Sequence, residues 1–176
     1  ILRIVWKDYT EKVIFRGVAL IVSKLFKIVK PDSAYFGQKD FQQFVIITKL
    51  VKKLNLSIYL KCCPIIREKD GLAMSSRNIF LNANQRKQAS NIATILFEAQ
   101  KKMKQTIMPS VIQLKRWVVQ ELNTHPIMQL QYFEIVNAGN LKPIKKWIET
   151  KQVVACIAVK IGNIRLIDNV FLKEQS

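Results

Sequence analysis

The chain has 176 residues, 49% of them apolar and 23% charged, a balance that excludes a disordered or low-complexity protein and allows one domain or two small ones. Its 29 basic and 12 acidic side chains give a net charge of +17, scattered along the whole length rather than gathered in a tail. Such a surface attracts anions, whether nucleotide phosphate, nucleic acid, membrane or acidic protein.

Taken in chain order, residues 17–30 show helical spacing. Val18, Ile21, Val22, Leu25 and Val29 recur at intervals of three and four and predict one apolar face. Pro31 ends that helix, because it cannot continue the hydrogen-bond ladder. Asp32–Phe36 reads as a short strand closing at Gly37, and residues 38–54 as a second helix carrying Phe41, Phe44, Val45, Thr48 and Val51. Leu56–Cys62, rich in β-branched and apolar residues, fits a second strand. Helix, strand, helix, strand is the order of an α/β domain with parallel strands.

Pro64–Asn84 is polar and reads as a functional loop and a domain boundary. Beyond it, Asn84 is expected to cap a helix running to about Gln105, with Ala89, Ile92, Ala93, Leu96, Ala99 and Met103 as its stripe. Ser110 is expected to cap another, with Val111, Leu114, Val118 and Leu122 facing inward. Residues 129–136 alternate in part. Val153–Val159 and Ile164–Ile167 flank Gly162-Asn163, a hairpin signal in the reverse of the preferred Asn-Gly order. The second half is thus expected to hold two helices and a small antiparallel sheet.

Cys62, Cys63 and Cys156 have neither zinc nor redox spacing and read as small buried hydrophobes in a reducing, cytoplasmic setting. No apolar run reaches the roughly 18 residues of a membrane span. The start, Ile1–Trp6, lacks Met and the charged-then-apolar order of a signal peptide, and reads as cut from something larger.

Two clusters carry candidate chemistry. The first, Phe36-Gly37-Gln38-Lys39-Asp40-Phe41-Gln42-Gln43, falls where a strand gives way to a helix, the usual ligand position in open α/β sheets. Gly37 lets the backbone approach a ligand, the helix start attracts an anion, and Lys39 adds a charge suited to phosphate. Asp40 suits sugar hydroxyls, and Gln43 a small polar substrate. The second cluster runs from Arg67 to Asn78. Ser75 and Ser76 can donate to phosphate oxygens, Arg77 offers a charged fork, and Asp70-Gly71 marks a turn in a loop able to close on triphosphate. Each cluster alone also reads as an ordinary helix start or a Ser/Arg surface loop. His125, followed by Pro126, stands outside both and reads as a surface or packing residue.

Together, Phe36-Gly37-x-Lys39-Asp40-x-Gln42-Gln43 and Arg67-x-x-Asp70-Gly71-Leu72-Ala73-Met74-Ser75-Ser76-Arg77-Asn78 closely resemble the pantothenate synthetase (pantoate–β-alanine ligase) family. Phe15-Arg16-Gly17-Val18 upstream and Arg165-Leu166-Ile167-Asp168-Asn169 downstream resemble it in order and spacing, over about residues 15–172. The resemblance implies an adenylate-forming ligase using ATP and Mg²⁺ to activate pantoate, with β-alanine then attacking the acyl carbon. It implies the C-terminal part of a Rossmann-like nucleotidyltransferase domain over residues 1–66, with a parallel sheet, and a small α+β lid domain over 67–176, with an antiparallel sheet.

By position, Gly37 and Asp40 would hold the ribose of ATP, Lys39 the phosphates and Gln43 the pantoate, with Gln38 a further ATP-binding residue. Ile66 and Met74 would offer backbone groups to adenine, and Ser75, Ser76 and Arg77 would grip the phosphates. The resemblance places no metal ligand in this chain, the family's metal-binding acidic residues belonging to the missing half, and family members usually form homodimers. The family's N-terminal His-x-Gly-His motif is absent, and Glu11 stands where the family has a substrate-contacting Arg. The chain by itself is therefore expected to bind ATP weakly and without turnover. The alternatives are a relative that uses its charge to bind nucleic acid, against which no stacked-aromatic or recognition-helix pattern is present, and a non-catalytic remnant whose half sheet cannot bury its edge and faces.

Overall fold

The computed structural model describes residues 9–174, with side chains from residue 17 onward. It divides into two compact units, one of Ile1–Pro64 with Gly139–Lys142, the other of Ile65–Ala138 with Pro143–Ser176.

In the first unit, α1 (Tyr9–Val29) begins earlier than the spacing predicts. It ends where expected: Lys30 adopts φ 48°, its N–H donates to Phe26 O at 3.0 Å, and Pro31 follows. β1 (Ser33–Gly37) leads through a 3-10 turn, Gln38–Asp40, into α2 (Phe41–Lys53). β2 (Tyr59–Cys63) then pairs parallel with β1, in register from Ser33 opposite Tyr59 to Gly37 opposite Cys63.

The core of this unit is Phe26, Ile47 and Val51, packed by Val18, Val22, Ala34, Phe36, Leu56, Ile58 and Leu60. Only part of the predicted α1 stripe is used. The inward line is Phe26, buried, with Val18 and Val22 partly buried beside it, whereas Ile21 and Leu25 are 60% and 51% exposed and Val29 is exposed as well. A single i, i+4, i+8 line reaches α2 and the two strands, and the positions beside it face away. Across the sheet, Ala34, Phe36 and Leu60 point to the helices, while Tyr35 and Tyr59 stand exposed on the other face.

The second unit packs helices against a three-stranded antiparallel sheet, ordered β3-β4-β5 (Met128–Asn137, Val153–Ile161, Ile164–Lys173). The helix expected from Asn84 differs in both start and continuity. Its cap is Asn82, which forms a reciprocal capping box with Gln85, and the helix breaks at Ser90 into α3 (Ala83–Ala89) and α4 (Asn91–Lys102). Asn84 is followed three residues later by Lys87, which cannot return the bond. At the break, Ser90 Oγ donates to Lys87 O at 2.9 Å, a side chain competing for helix backbone.

Ser110 caps α5 (Val111–Asn123) with a second box to Gln113, and Val111, Leu114, Val118 and Leu122 are all buried, as the spacing predicts. On β4, the central strand, Val153, Ala155, Ile157, Val159 and Ile161 join the core shared with α4 and α5. Gly162 turns the chain between β4 and β5 with φ 57°, and Asn163 is not in the left-handed region. A positive φ at the first turn position alone is the type II′ requirement, which explains why Gly precedes Asn here.

Candidate functional site

The first candidate cluster sits at the carboxyl ends of the parallel strands. Gly37 ends β1 with φ −70° and ψ 133°, a conformation any residue can adopt. A Cβ built there would meet no atom within 4 Å, so packing within the protein does not demand glycine at this position. Lys39 and Gln38 are half-buried, and Asp40 is exposed. Asp40 occupies the N-cap position of α2 yet makes no side-chain cap bond, which leaves its carboxylate uncommitted to the helix. Gln43 lies one turn into α2, half-buried. The continuous helix expected from residue 38 is thus a 3-10 turn followed by α2.

Elsewhere in this unit, Lys49 on α2 donates to Asn140 O at 3.3 Å. Burial lowers the Lys49 pKa below its usual value, and the neighbouring Lys142 charge adds to this. The side chain of Glu11, at the family's Arg position, lies outside the described residues, as do those of Phe15 and Arg16.

The second cluster is a tight hairpin. Glu68 N–H donates to Leu72 O at 2.8 Å, Gly71 N–H to Glu68 O at 2.9 Å, and Arg67 bridges Ala73. Gly71 takes φ 89°, the left-handed position of a three-residue turn with a bulge. Asp70 Oδ1 accepts the Leu72 N–H, and the Arg86 guanidinium grips both carboxylate oxygens, holding the Asp70 carboxyl below its usual range. At the hairpin base, Met74 N–H donates to Ile66 O at 3.0 Å, which commits that donor within the protein.

The Ser-Ser-Arg segment follows. Ser75 Oγ accepts the Arg77 N–H at 3.2 Å, which leaves its own hydroxyl hydrogen to be donated elsewhere. Ser75 O accepts from Asn78 N–H at 3.0 Å, and Asn78 Nδ2 donates to Ala73 O at 3.2 Å. Asn78 is buried, and its Oδ1 has no hydrogen-bond partner among the described residues. Ser76 and Arg77 are exposed, and Arg77 makes no ion pair among the described residues. The structure therefore presents Ser76 and Arg77 to solvent, half-buries Ser75, and leaves the Ile66 and Met74 side chains exposed.

The interior role of Arg67 could not be read from sequence. Its guanidinium donates to Asp168 Oδ2 at 2.7 Å and Oδ1 at 3.0 Å, across 101 positions of chain. His125 behaves as expected of a packing residue: half-buried, its Nδ1 lies 3.1 Å from Gln88 Oε1 and 3.4 Å from Asn91 Nδ2. Cys156 is buried as expected, whereas Cys62 and Cys63 are half-buried; all three are free thiols. Burial pushes the Cys156 pKa up to about 12, with further upward pressure from Asp168 and Glu134. Among the described residues, no group of three His, Cys, Asp or Glu side chains is placed to cage a metal, and no helix is long and apolar enough to cross a membrane.

A partial parallel sheet with a glycine turn at its carboxyl end, followed by an antiparallel α+β unit, defines a nucleotidyltransferase-like α/β protein. A structure of pantothenate synthetase from Thermus thermophilus superposes with a TM-score of 0.88 at 32% identity, over 97% of this chain and 60% of that one. A Francisella tularensis pantoate-beta-alanine ligase, complexed with beta-gamma ATP and beta-alanine, gives a TM-score of 0.61 at 28% identity, over 92% of this chain and 51% of that one. The pantothenate synthetase of Porphyromonas gingivalis is 47% identical over 156 residues, covering 89% of this chain and 54% of that protein. The pattern that describes Pantoate-beta-alanine ligase matches residues 2–171, and the chain belongs to that family. It spans about half the length of the curated relatives it matches.

Proposed function

We propose that this chain supplies ATP-handling residues for the condensation of pantoate with β-alanine through a pantoyl adenylate. The observation that carries the reading is the family match across residues 2–171, which takes in both candidate turns. The beta-gamma ATP and beta-alanine bound to the Francisella tularensis relative support the choice of ligands. Residues 1–66 would serve as the nucleotide-binding part and 67–176 as the lid.

In this reading, Gly37 approaches the ribose, the Asp40 carboxylate accepts from its hydroxyls, and Gln38 lies beside the nucleotide. Lys39 meets the phosphates and Gln43 the pantoate. Adenine is met by backbone groups of Ile66 and Met74. Ser75, Ser76 and Arg77 take the triphosphate. As the pantoate carboxylate attacks the α-phosphorus, negative charge grows on the departing pyrophosphate, and fixed Lys, Arg and hydroxyl donors stabilise it. Mg²⁺ carried on the triphosphate would neutralise part of the same charge. No side-chain nucleophile is needed, since aligning two bound substrates supplies much of the rate.

Calorimetric titration with MgATP tests the reading. Binding is expected for the chain, with AMP release absent when pantoate and β-alanine are added. Arg77→Ala and Lys39→Ala should each weaken ATP affinity by about tenfold or more, the scale of a charge-assisted phosphate contact. Unchanged affinity in both variants would remove these residues from the site. Turnover by the chain alone would overturn the expectation that it only binds.

A further inference from the structure

The Arg165–Asn169 run and the Arg67 that opens the signature string have no part in the ATP contacts above. We propose that Arg67 and Asp168 are a positioning pair that fixes the shape of the Ser75-Ser76-Arg77 turn without touching nucleotide, an inference that rests on the ATP reading. Three arginines lie in or beside this loop. Arg86 is held by Asp70, and Arg67 is held by Asp168, leaving Arg77 to face solvent.

The Arg67 commitment is complete. Its fork meets both Asp168 oxygens, Nη1 also donates to Gly71 O at 3.0 Å, and the guanidinium carbon lies 4.8 Å over the Phe97 ring. The side chains are 17% and 2% exposed. Asp168 Oδ1 receives a further bond from Asn169 N–H at 2.7 Å, and its residue pairs with Ile157 on the central strand, so the anchor belongs to the sheet.

From this anchor to the Ser-Ser-Arg backbone the links are continuous. Arg67 bridges Ala73, Ala73 O accepts Asn78 Nδ2, and Asn78 N–H returns to Ser75 O. A buried ion pair contributes little net stability over an apolar substitute, because desolvation offsets its attraction. Its worth lies in geometry, and a bidentate, ring-stacked fork is the arrangement Lys cannot reproduce.

The test compares wild type, Arg67→Lys and Asp168→Asn by calorimetry with MgATP and with adenosine, alongside amide exchange at residues 74–78. Both variants are expected to lose ATP affinity by about tenfold or more, the scale on which supporting contacts tune a site, and to lose less adenosine affinity. Exchange at residues 74–78 should accelerate. A lower melting temperature with unchanged ATP affinity and unchanged exchange would make the pair merely structural and overturn the proposal. If wild type binds ATP no better than adenosine, the ATP reading fails instead, and exchange at 74–78 decides the pair by itself. Should either variant fail to fold, Phe97→Leu removes the stacking face without changing charge. It should move ATP affinity and exchange in the same direction by less, and no movement would overturn the proposal.

Discussion

Two glycines separate backbone need from ligand need. Gly71 sits at φ 89° with its would-be Cβ in ordinary contact, 3.6 Å from Ala93, so the strain of a side chain there is conformational. Gly71→Ala should cost about 1–2 kcal/mol, the usual penalty of the left-handed region, read from urea unfolding. Gly37→Ala should leave stability unchanged, since φ is ordinary and the space open, and should show its effect in ATP titration. A stability loss at Gly37 would mean that packing selects that glycine.

Cys156 gives a pH signature. Its thiol ionises at about 12 in the fold against an ordinary 9.0, so the folded state holds the proton more tightly. The stability this gives is complete below pH 9 and is lost as pH rises toward 12. Cys156→Ala should flatten the decline of stability across that window, measured by denaturant midpoints at each pH.

What could be read at this scale depended on sequence distance. The Ser-Ser-Arg hydroxyls and charge stand adjacent in the sequence and were legible there. The Arg67–Asp168 pair was not, because 101 positions separate its members and only the folded sheet joins them.

Among the elements, capping chemistry decides where helices start. Asn82 and Ser110 each complete a reciprocal box, and replacing either with Ala should cost about 1 kcal/mol. Asn84→Ala should be near neutral, and a comparable loss there would place the cap where the spacing first put it. Ser110 was legible because Gln113 stands at the required distance. Asn84 misled because the polar run 82–85 offers two asparagines, and only the partner three residues on distinguishes them.

The α1 stripe was legible as a helix but not as a buried face. Apolar spacing reports which side is hydrophobic, and what covers that side is a matter of tertiary packing. The order of strands and helices followed from the alternation of periodicities. The α3–α4 break at Ser90 did not, because the buried apolar stripe continues from Ala89 to Ala99 across it.

At the level of the molecule, two opposed tendencies meet. A charge of +17 keeps copies apart, while Leu20, Ile21, Leu25, Ile28 and Val29 expose an apolar strip along α1. Screening the charge should favour the strip, so sedimentation velocity is expected to show more association as salt rises. Leu25→Gln combined with Ile28→Gln should return the protein to monomer, and persistent association in that variant would move the contact elsewhere.

The assignment of Gly139–Lys142 to the first unit has a practical outcome for anyone dissecting the protein. Neither unit is an unbroken stretch of polypeptide. A stop codon after Pro64 would strip the N-terminal piece of Asn140, whose carbonyl receives the Lys49 ammonium, and leave that ammonium without its protein acceptor. Excision would succeed better as a fusion that splices 139–142 back onto residues 1–64 through a designed linker.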